Sequence, residues 1–230
     1  MKTLVFDTGP IITLTMNNLL WLLEPLKEMG NCRFLITNQV KEELVDNPLN
    51  KTRRFKFEAL QVLHYIENGT LEVADGSGIM GQTENLLGLA NSCFSAFGHN
   101  IKIVHDAEIS SLALYMQQNS DAFVLDEKTT RLLIENPRKL QEIMIHNLGT
   151  KVTANNNSLK SFQKLTKNVK MIRSVELAMV AYEKGLLDKY LVNIINPRRT
   201  LLESILWGIK LNGCAVTKRE LEQILRIEAK

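Results

Sequence analysis

Leu4-Val5-Phe6-Asp7-Thr8-Gly9-Pro10, near the start of a 230-residue chain, decides how the remainder is read. Leu4 to Phe6 is an apolar run too short for a helix and suited to a buried strand. Thr8, Gly9 and Pro10 punctuate a turn, and a helical pattern starts near Ile11. The stretch is strand, acid, tight turn, helix. In an open parallel α/β sheet, ligands bind outside the carboxyl ends of the strands. A carboxylate at that place is a metal ligand, a nucleophile or a helix N-cap, and the other acids of the chain decide which.

Working outward, residues 11–29 read as helix, bent or divided by Pro25. Arg33 to Ile36 is a second strand. Thr37 and Asn38 are start signals for a helix over 39–45, stopped by Asn47-Pro48. On it Val40 and Leu44 face the core and Glu43 lies on the flank. A helix over 51–67 follows, with Phe55, Leu60, Leu63 and Ile66 inward, then a strand at 71–73, a helix over 82–97 and a strand at 101–104. Asp106 opens a helix to Gln117, where a carboxylate suits the helix dipole.

Residues 121–125 then repeat the opening device: a buried strand, an acid at its end (Asp126) and a helix over 128–135 closed by Asn136-Pro137. A helix at 138–148, a short strand at 151–153, a polar loop at 154–158, a basic helix at 160–167 and a last strand at 169–172 follow. A helix over 175–184 comes next. Two amphipathic helices, 199–210 and 217–228, end the chain, with Thr217 and Glu220 spaced as a capping box. Strands alternating with helices indicate an α/β fold with a mostly parallel sheet.

A hydrophobic fraction of 45% with 23% charged residues fits an ordinary globular chain. No stretch is apolar for the ~18 residues a membrane span needs, and nothing at the N-terminus reads as a signal peptide. The expected place is the cytoplasm, away from any membrane. Cys32, Cys93 and Cys214 lack metal-ligand spacing and are expected to be inert thiols. A formal charge of +3 permits a nucleic-acid partner without requiring one. The densest basic cluster of the first half is Lys51, Arg53, Arg54 and Lys56.

Asp7 and Asp126 are expected to end neighbouring strands, while Glu43 and Asp106 reach the same edge from flanking helix ends. Carboxylates gathered this way repel one another unless a proton or a cation sits among them. Hard oxygen donors suit Mg²⁺ or Mn²⁺, and such ions activate water and stabilise charge on a phosphodiester. Taken singly, Asp106 also reads as a helix cap and Glu43 as a solvated helix residue.

LVFDTGP (4–10), TNQVKEELV (37–45), HDAEISSLALYM (105–116) and DAFVLDEKTTRLL (121–133) together resemble the PIN-domain family, in the style of prokaryotic and archaeal members related to VapC-type toxins. The resemblance implies a three-layer fold with a central parallel five-strand sheet flanked by helices. It also implies an acidic Mg²⁺ or Mn²⁺ cleft that cleaves single-stranded or structured RNA. It carries the catalytic and metal-binding roles onto Asp7, Glu43, Asp106 and Asp126. Glu108 and Glu127, beside matched positions, are second-rank acids. VKMIRSVELAMVAYEKGLL (169–187) resembles the final strand and helix and puts Arg173, Ser174 and Glu176 at the same edge.

The chain is longer than a minimal toxin. Residues 1–190 would form the PIN-like domain, with helical insertions near 51–100 and 138–166, and 191–230 a helical extension packing on it. Val124-Leu125 stands where many toxins carry a nearby Thr, and Thr129 or Ser174 is the candidate replacement. Thr8 and Gly9 are expected to let the chain turn away from Asp7. A homodimer or an antitoxin-like protein is a possible partner on this resemblance.

Two other readings compete. One is a non-catalytic RNA-binding or protein-interaction module on the same fold. The other is a phosphatase of the haloacid-dehalogenase type, which places a second acid two residues after the first, where this chain has Gly9.

Overall fold

Leu4 and Phe6 face one side of the first strand and Val5 the other, and all three are buried. A strand apolar on both sides needs cover on both sides, which parallel sheets obtain from helices. The computed structural model describes residues 1–76 and 78–228. Its strands are β1 (Lys2–Phe6), β2 (Cys32–Ile36), β3 (Glu72–Val73), β4 (Phe94–Ala96), β5 (His99–Asn100), β6 (Ala122–Val124), β7 (Thr153–Ala154) and β8 (Met171–Ile172). The central sheet has five strands in the order β3-β2-β1-β6-β8, and every pairing in it is parallel. The fold is the three-layer α/β arrangement expected.

The helices are α1 (Thr8–Met16), α2 (Leu23–Gly30), α3 (Asn38–Lys41), α4 (Asn47–Lys51), α5 (Lys56–Glu67), α6 (Met80–Asn91) and α7 (Asp106–Gln117), then α8 (Lys128–Glu135), α9 (Pro137–Leu148), α10 (Asn156–Thr166), α11 (Ser174–Glu183), α12 (Pro197–Leu211) and α13 (Lys218–Glu228). Leu4, Phe6, Phe34, Ile36 and Val124 pack under α1, α2, α11 and the two C-terminal helices. Val5, Leu35, Phe123 and Leu125 pack under α6, α7, α8 and α10. The period of two along each strand thus feeds two separate cores. Leu202, Leu206, Ile209, Leu221 and Leu225 belong to the first, so the C-terminal helices share the core of β1.

The elements differ from expectation in several places. The long first helix is broken at Asn17-Asn18, where Asn18 takes φ 55°, a conformation asparagine tolerates. Pro25 instead sits in the first turn of α2, where its missing N–H costs nothing. Asn47-Pro48 does not stop the helix after β2: a π-helical turn, Glu42–Asp46, joins α3 to α4 and carries the chain across the proline.

Helix α5 begins only at Lys56. Phe55 and Leu60 are exposed, and Ala59 and Val62 take the inner positions, with Leu63 and Ile66 partly buried against the core. Residues 92–97 leave the helix for an antiparallel sheet, β5-β4-β7. Its β4–β5 turn is Phe97-Gly98, both at positive φ, as a two-residue hairpin requires. Residues 101–104 are outside any sheet. The Asn91 side chain serves their backbone, accepting from the Ile103 and Val104 amides and donating to the Val104 carbonyl. The polar stretch after β7 becomes α10, capped by Asn155. Among the described residues, no helix is long and apolar enough to cross a membrane.

Candidate functional site at the carboxyl edge of the sheet

Strand order runs outward from β1 in both directions, so the chain's path reverses between β1 and β6. That reversal opens a crevice at the carboxyl ends of these two strands. Phe6 lies opposite Val124, and the Asp7 amide donates to the Val124 carbonyl at 3.0 Å. Asp7 and Asp126, 3% and 2% exposed, follow the two strands. Gly9 sits between them. A Cβ on it would lie 3.4 Å from the Asp126 Cβ and 3.6 Å from Asp7 Oδ2. Gly9 belongs to the first turn of α1 rather than to a free turn. It matters because it is small where two acids meet.

Asp7 caps α1, its Oδ2 accepting from the Gly9 amide at 3.3 Å. Its Oδ1 is buried with no hydrogen-bond partner. Burial, reinforced by the charges of Glu108 and Glu43, pushes the carboxyl up to about 7 against the pull of the Thr8 and Gly9 amides. Glu108 is also pushed up by burial and by the charge of Glu127, while Thr130 Oγ1 donates to its Oε2 at 2.7 Å and works the other way. Glu43 is exposed and accepts from Thr8 Oγ1 at 2.7 Å. Asp126 is fully engaged by Ser174, whose amide donates to Oδ1 at 2.8 Å and whose hydroxyl donates to Oδ2 at 2.7 Å.

The structure therefore brings Asp7, Glu43, Glu108 and Asp126 to one crevice. Asp106 is placed differently: it is exposed at the start of α7 and lines a hollow with Asn38, Gln39 and Asp75. Glu108, two residues on, is the α7 acid whose charge acts on Asp7. Glu127 serves as the N-cap of α8, accepting from the Thr130 amide at 2.6 Å. Lys51 lies 3.5 Å from Glu42, while Arg53, Arg54 and Lys56 are exposed and form no ion pair among the described residues. The expected four-carboxylate cage is not assembled. Among the described residues, no three His, Cys, Asp or Glu side chains converge closely enough to hold a metal ion.

Two features had no clear signal in the sequence. Thr130, rather than Thr129, joins the expected Ser174 as a hydroxyl bonded to an acid of the crevice. Its place three residues after the Glu127 cap is the only cue. The second is a strap between α12 and α13. The Ala215 amide donates to the Asp126 carbonyl at 3.1 Å, and the Ala215 carbonyl accepts from both Arg131 and Arg173. Cys214 is buried beside Asp126, and burial followed by that charge pushes its thiol up to about 12, so it is no nucleophile. Arg173 also binds Glu176 and Glu220, pinning α13 to the end of β8. No family model matches the chain, and no curated protein or solved structure matches it either.

Proposed function

We propose that the protein is a divalent-cation-dependent endoribonuclease whose reaction centre is the crevice between β1 and β6. The observation that best supports this is Asp7 Oδ1, a buried carboxylate oxygen with no partner, set among the charges of Glu108 and Glu43. Such a group is stabilised by taking up a proton or a cation. The donors are hard oxygens, which fit Mg²⁺ or Mn²⁺. Three do not converge, but Mg²⁺ is commonly held by one or two carboxylates, with water and substrate phosphate completing its shell. When bound, the ion would neutralise phosphodiester charge and lower the pKa of a water.

Asp7 would hold the ion through its unpartnered oxygen, with Glu108 kept beside it by Thr130. Glu43, the exposed acid, is free to take a proton from an entering water. Asp126 is locked by Ser174 and is a border of the crevice rather than its mobile ligand. RNA as substrate follows from the resemblance to PIN domains and from the free cations of residues 53–56. Three cysteines outside any disulfide agree with a reducing compartment such as the cytoplasm.

One observation favours the alternative, a non-catalytic RNA-binding or protein-interaction module: the strap and Ser174 leave Asp126 no open face. Incubation of single-stranded RNA with the protein, in Mn²⁺ or in chelator, separates the two. Cleavage is expected in Mn²⁺ and is lost in chelator, in Asp7→Asn and in Glu108→Gln. Mn²⁺ should also raise the Tm of the wild type but not of Asp7→Asn. Cleavage that survives in chelator would sink the proposal. Absence of both cleavage and Mn²⁺ stabilisation would leave the module reading.

A further inference from the structure

Residues 51–57, KTRRFKF, are exposed without exception. Phe55 and Phe57 are 55% and 70% exposed, large values for aromatic side chains in the middle of a domain. Phe55 also takes φ +62° at the start of α5. For a bulky residue this left-handed conformation is an outlier that costs free energy, and glycine or asparagine would bear it more easily. The chain thus keeps an aromatic ring outside the core on a strained backbone.

The ring has something to face. Phe55 walls a hollow of about 120 Å³ that Ile12, Met16, Leu44 and Val62 also line, together with the acids Glu43 and Glu58. That volume is roughly four waters' worth, room for one planar base rather than for a helix. Glu43 is the acid bonded to Thr8, so the hollow and the crevice share this residue. Two residues along, Phe57 walls a second, wider hollow of about 390 Å³ with Trp21, His64 and Tyr65. Between and beside the rings stand Arg53, Arg54 and Lys56, exposed and without an ion pair among the described residues. Cations that follow a phosphate backbone, alternating with rings on which bases stack, are the equipment of single-strand binding. A duplex offers no free base faces to such rings, since its bases are already stacked and paired.

We propose that residues 53–57 and the two hollows beside them form a track for single-stranded RNA, with one unpaired base seated against Phe55 next to the reaction centre. The track presupposes the nuclease reading of the crevice but is tested without chemistry. It makes Phe55 a specificity-determining residue: only a strand that can splay a base reaches Glu43 and Asp7.

The test uses the full chain in chelator, a short unstructured RNA carrying 2-aminopurine, and the same RNA annealed to its complement. The wild type should bind the single strand, quench its fluorescence, and bind the duplex at least tenfold more weakly. Phe55→Ala should lose the quench and about tenfold in affinity. Phe55→Gly should lose as much while its Tm rises, because glycine relieves the strained φ. That combination separates a stacking role from a structural one. Replacing Arg53 and Arg54 by Ala should flatten the slope of log affinity against log salt by about 1.4.

Equal binding of duplex and single strand, or Phe55 variants that bind and quench as wild type does, would overturn the track. So would a wild-type dimer in sedimentation that Phe57→Ala dissolves, since the face would then belong to a second copy. If quenching follows Phe55 but no condition gives cleavage, the track stands and only the nuclease reading falls. Cleavage with unimpaired Phe55 variants does the reverse.

Discussion

A single carboxyl group, Asp7, couples the fold to its proposed chemistry. Its ordinary value is 3.8 and the folded chain raises it to about 7. Between these values the folded protein keeps a proton that the unfolded chain has lost, so stability falls as pH rises from about 4 to 7. Asp7→Asn stays neutral throughout. It should be more stable than wild type above pH 7, by about 4 kcal/mol at most, and the gain should vanish near pH 4. Urea unfolding at pH 4, 6 and 8 measures this. A variant that is less stable at pH 8 would contradict the account of Asp7 as a strained, unpartnered charge.

Among the acids of the crevice, local pattern marks some and not others. Asp7 and Asp126 were legible because each ends an apolar run. The choice between Asp106 and Glu108 was not. Helical side chains lean back toward the helix start. With Ile109 and Leu112 buried against the sheet, the acid at the third position of α7 reaches the crevice while the acid at the first faces solvent. That depends on how α7 is rotated against β1, which spacing within the helix does not state.

At the level of elements, the strap and α13 form one device. Glu220 closes a capping box with Thr217 and accepts from Arg173 at 3.0 Å. Burial opposes its charge, but the Thr217 bonds and the Arg173 guanidinium outweigh that and hold the carboxyl down to about 2. A depressed carboxyl contributes stability that is present above about 4.5 and lost as pH falls toward 2. Glu220→Gln should therefore cost about 1–2 kcal/mol at pH 7, discounted because the group is a third exposed. The cost should shrink toward zero near pH 2, and proteolysis of α13 should quicken at neutral pH. The capping box was readable from Thr217 and Glu220 alone. Its docking onto Arg173 was not, since those residues lie far apart in the chain.

Hairpins and helix breaks divide along the same line. Asn17-Asn18 ends α1 because asparagine accepts the left-handed conformation, a local preference that the proline eight residues later obscured. Phe97-Gly98 turns β4 into β5 with a phenylalanine at positive φ. Phenylalanine seldom marks such a turn. The third partner, β7, comes from the other side of α7, so the small sheet exists only through a contact distant in sequence.

For the whole molecule, the C-terminal helices complete the core that β1 starts. Leu202, Leu206 and Ile209 are almost wholly buried with Phe6 and Ile11. Gly208 packs so closely on Asn17 that a Cβ would overlap its Oδ1. A chain cut after Asn196 should therefore not fold as a stable unit. Burying each such side chain contributes about 1.5–3 kcal/mol, and losing these three with Leu221 and Leu225 removes an amount comparable to the whole usual margin of stability. Circular dichroism of the truncated chain tests this. A cooperative melt close to that of the full chain would show that residues 197–230 are an appendage.

Local pattern alone dictates part of this protein. The alternation of apolar runs with amphipathic stretches set an α/β fold, and the acids that end those runs fell at one edge once the strands were parallel. Contacts between distant segments choose which acids meet. They replace Asp106 by Glu108, give Thr130 and Ser174 to Glu108 and Asp126, and lay the Cys214–Ala215 strap across the site. They also turn Phe55 outward instead of inward. The physical reason is common to all of these: helix rotation, strap docking and the competition of Ala59 and Val62 for the core under α5 are settled by packing between distant segments. The opening LVFDTGP could place a carboxylate at the end of a buried strand, but only the fold around it left one of its oxygens without a partner.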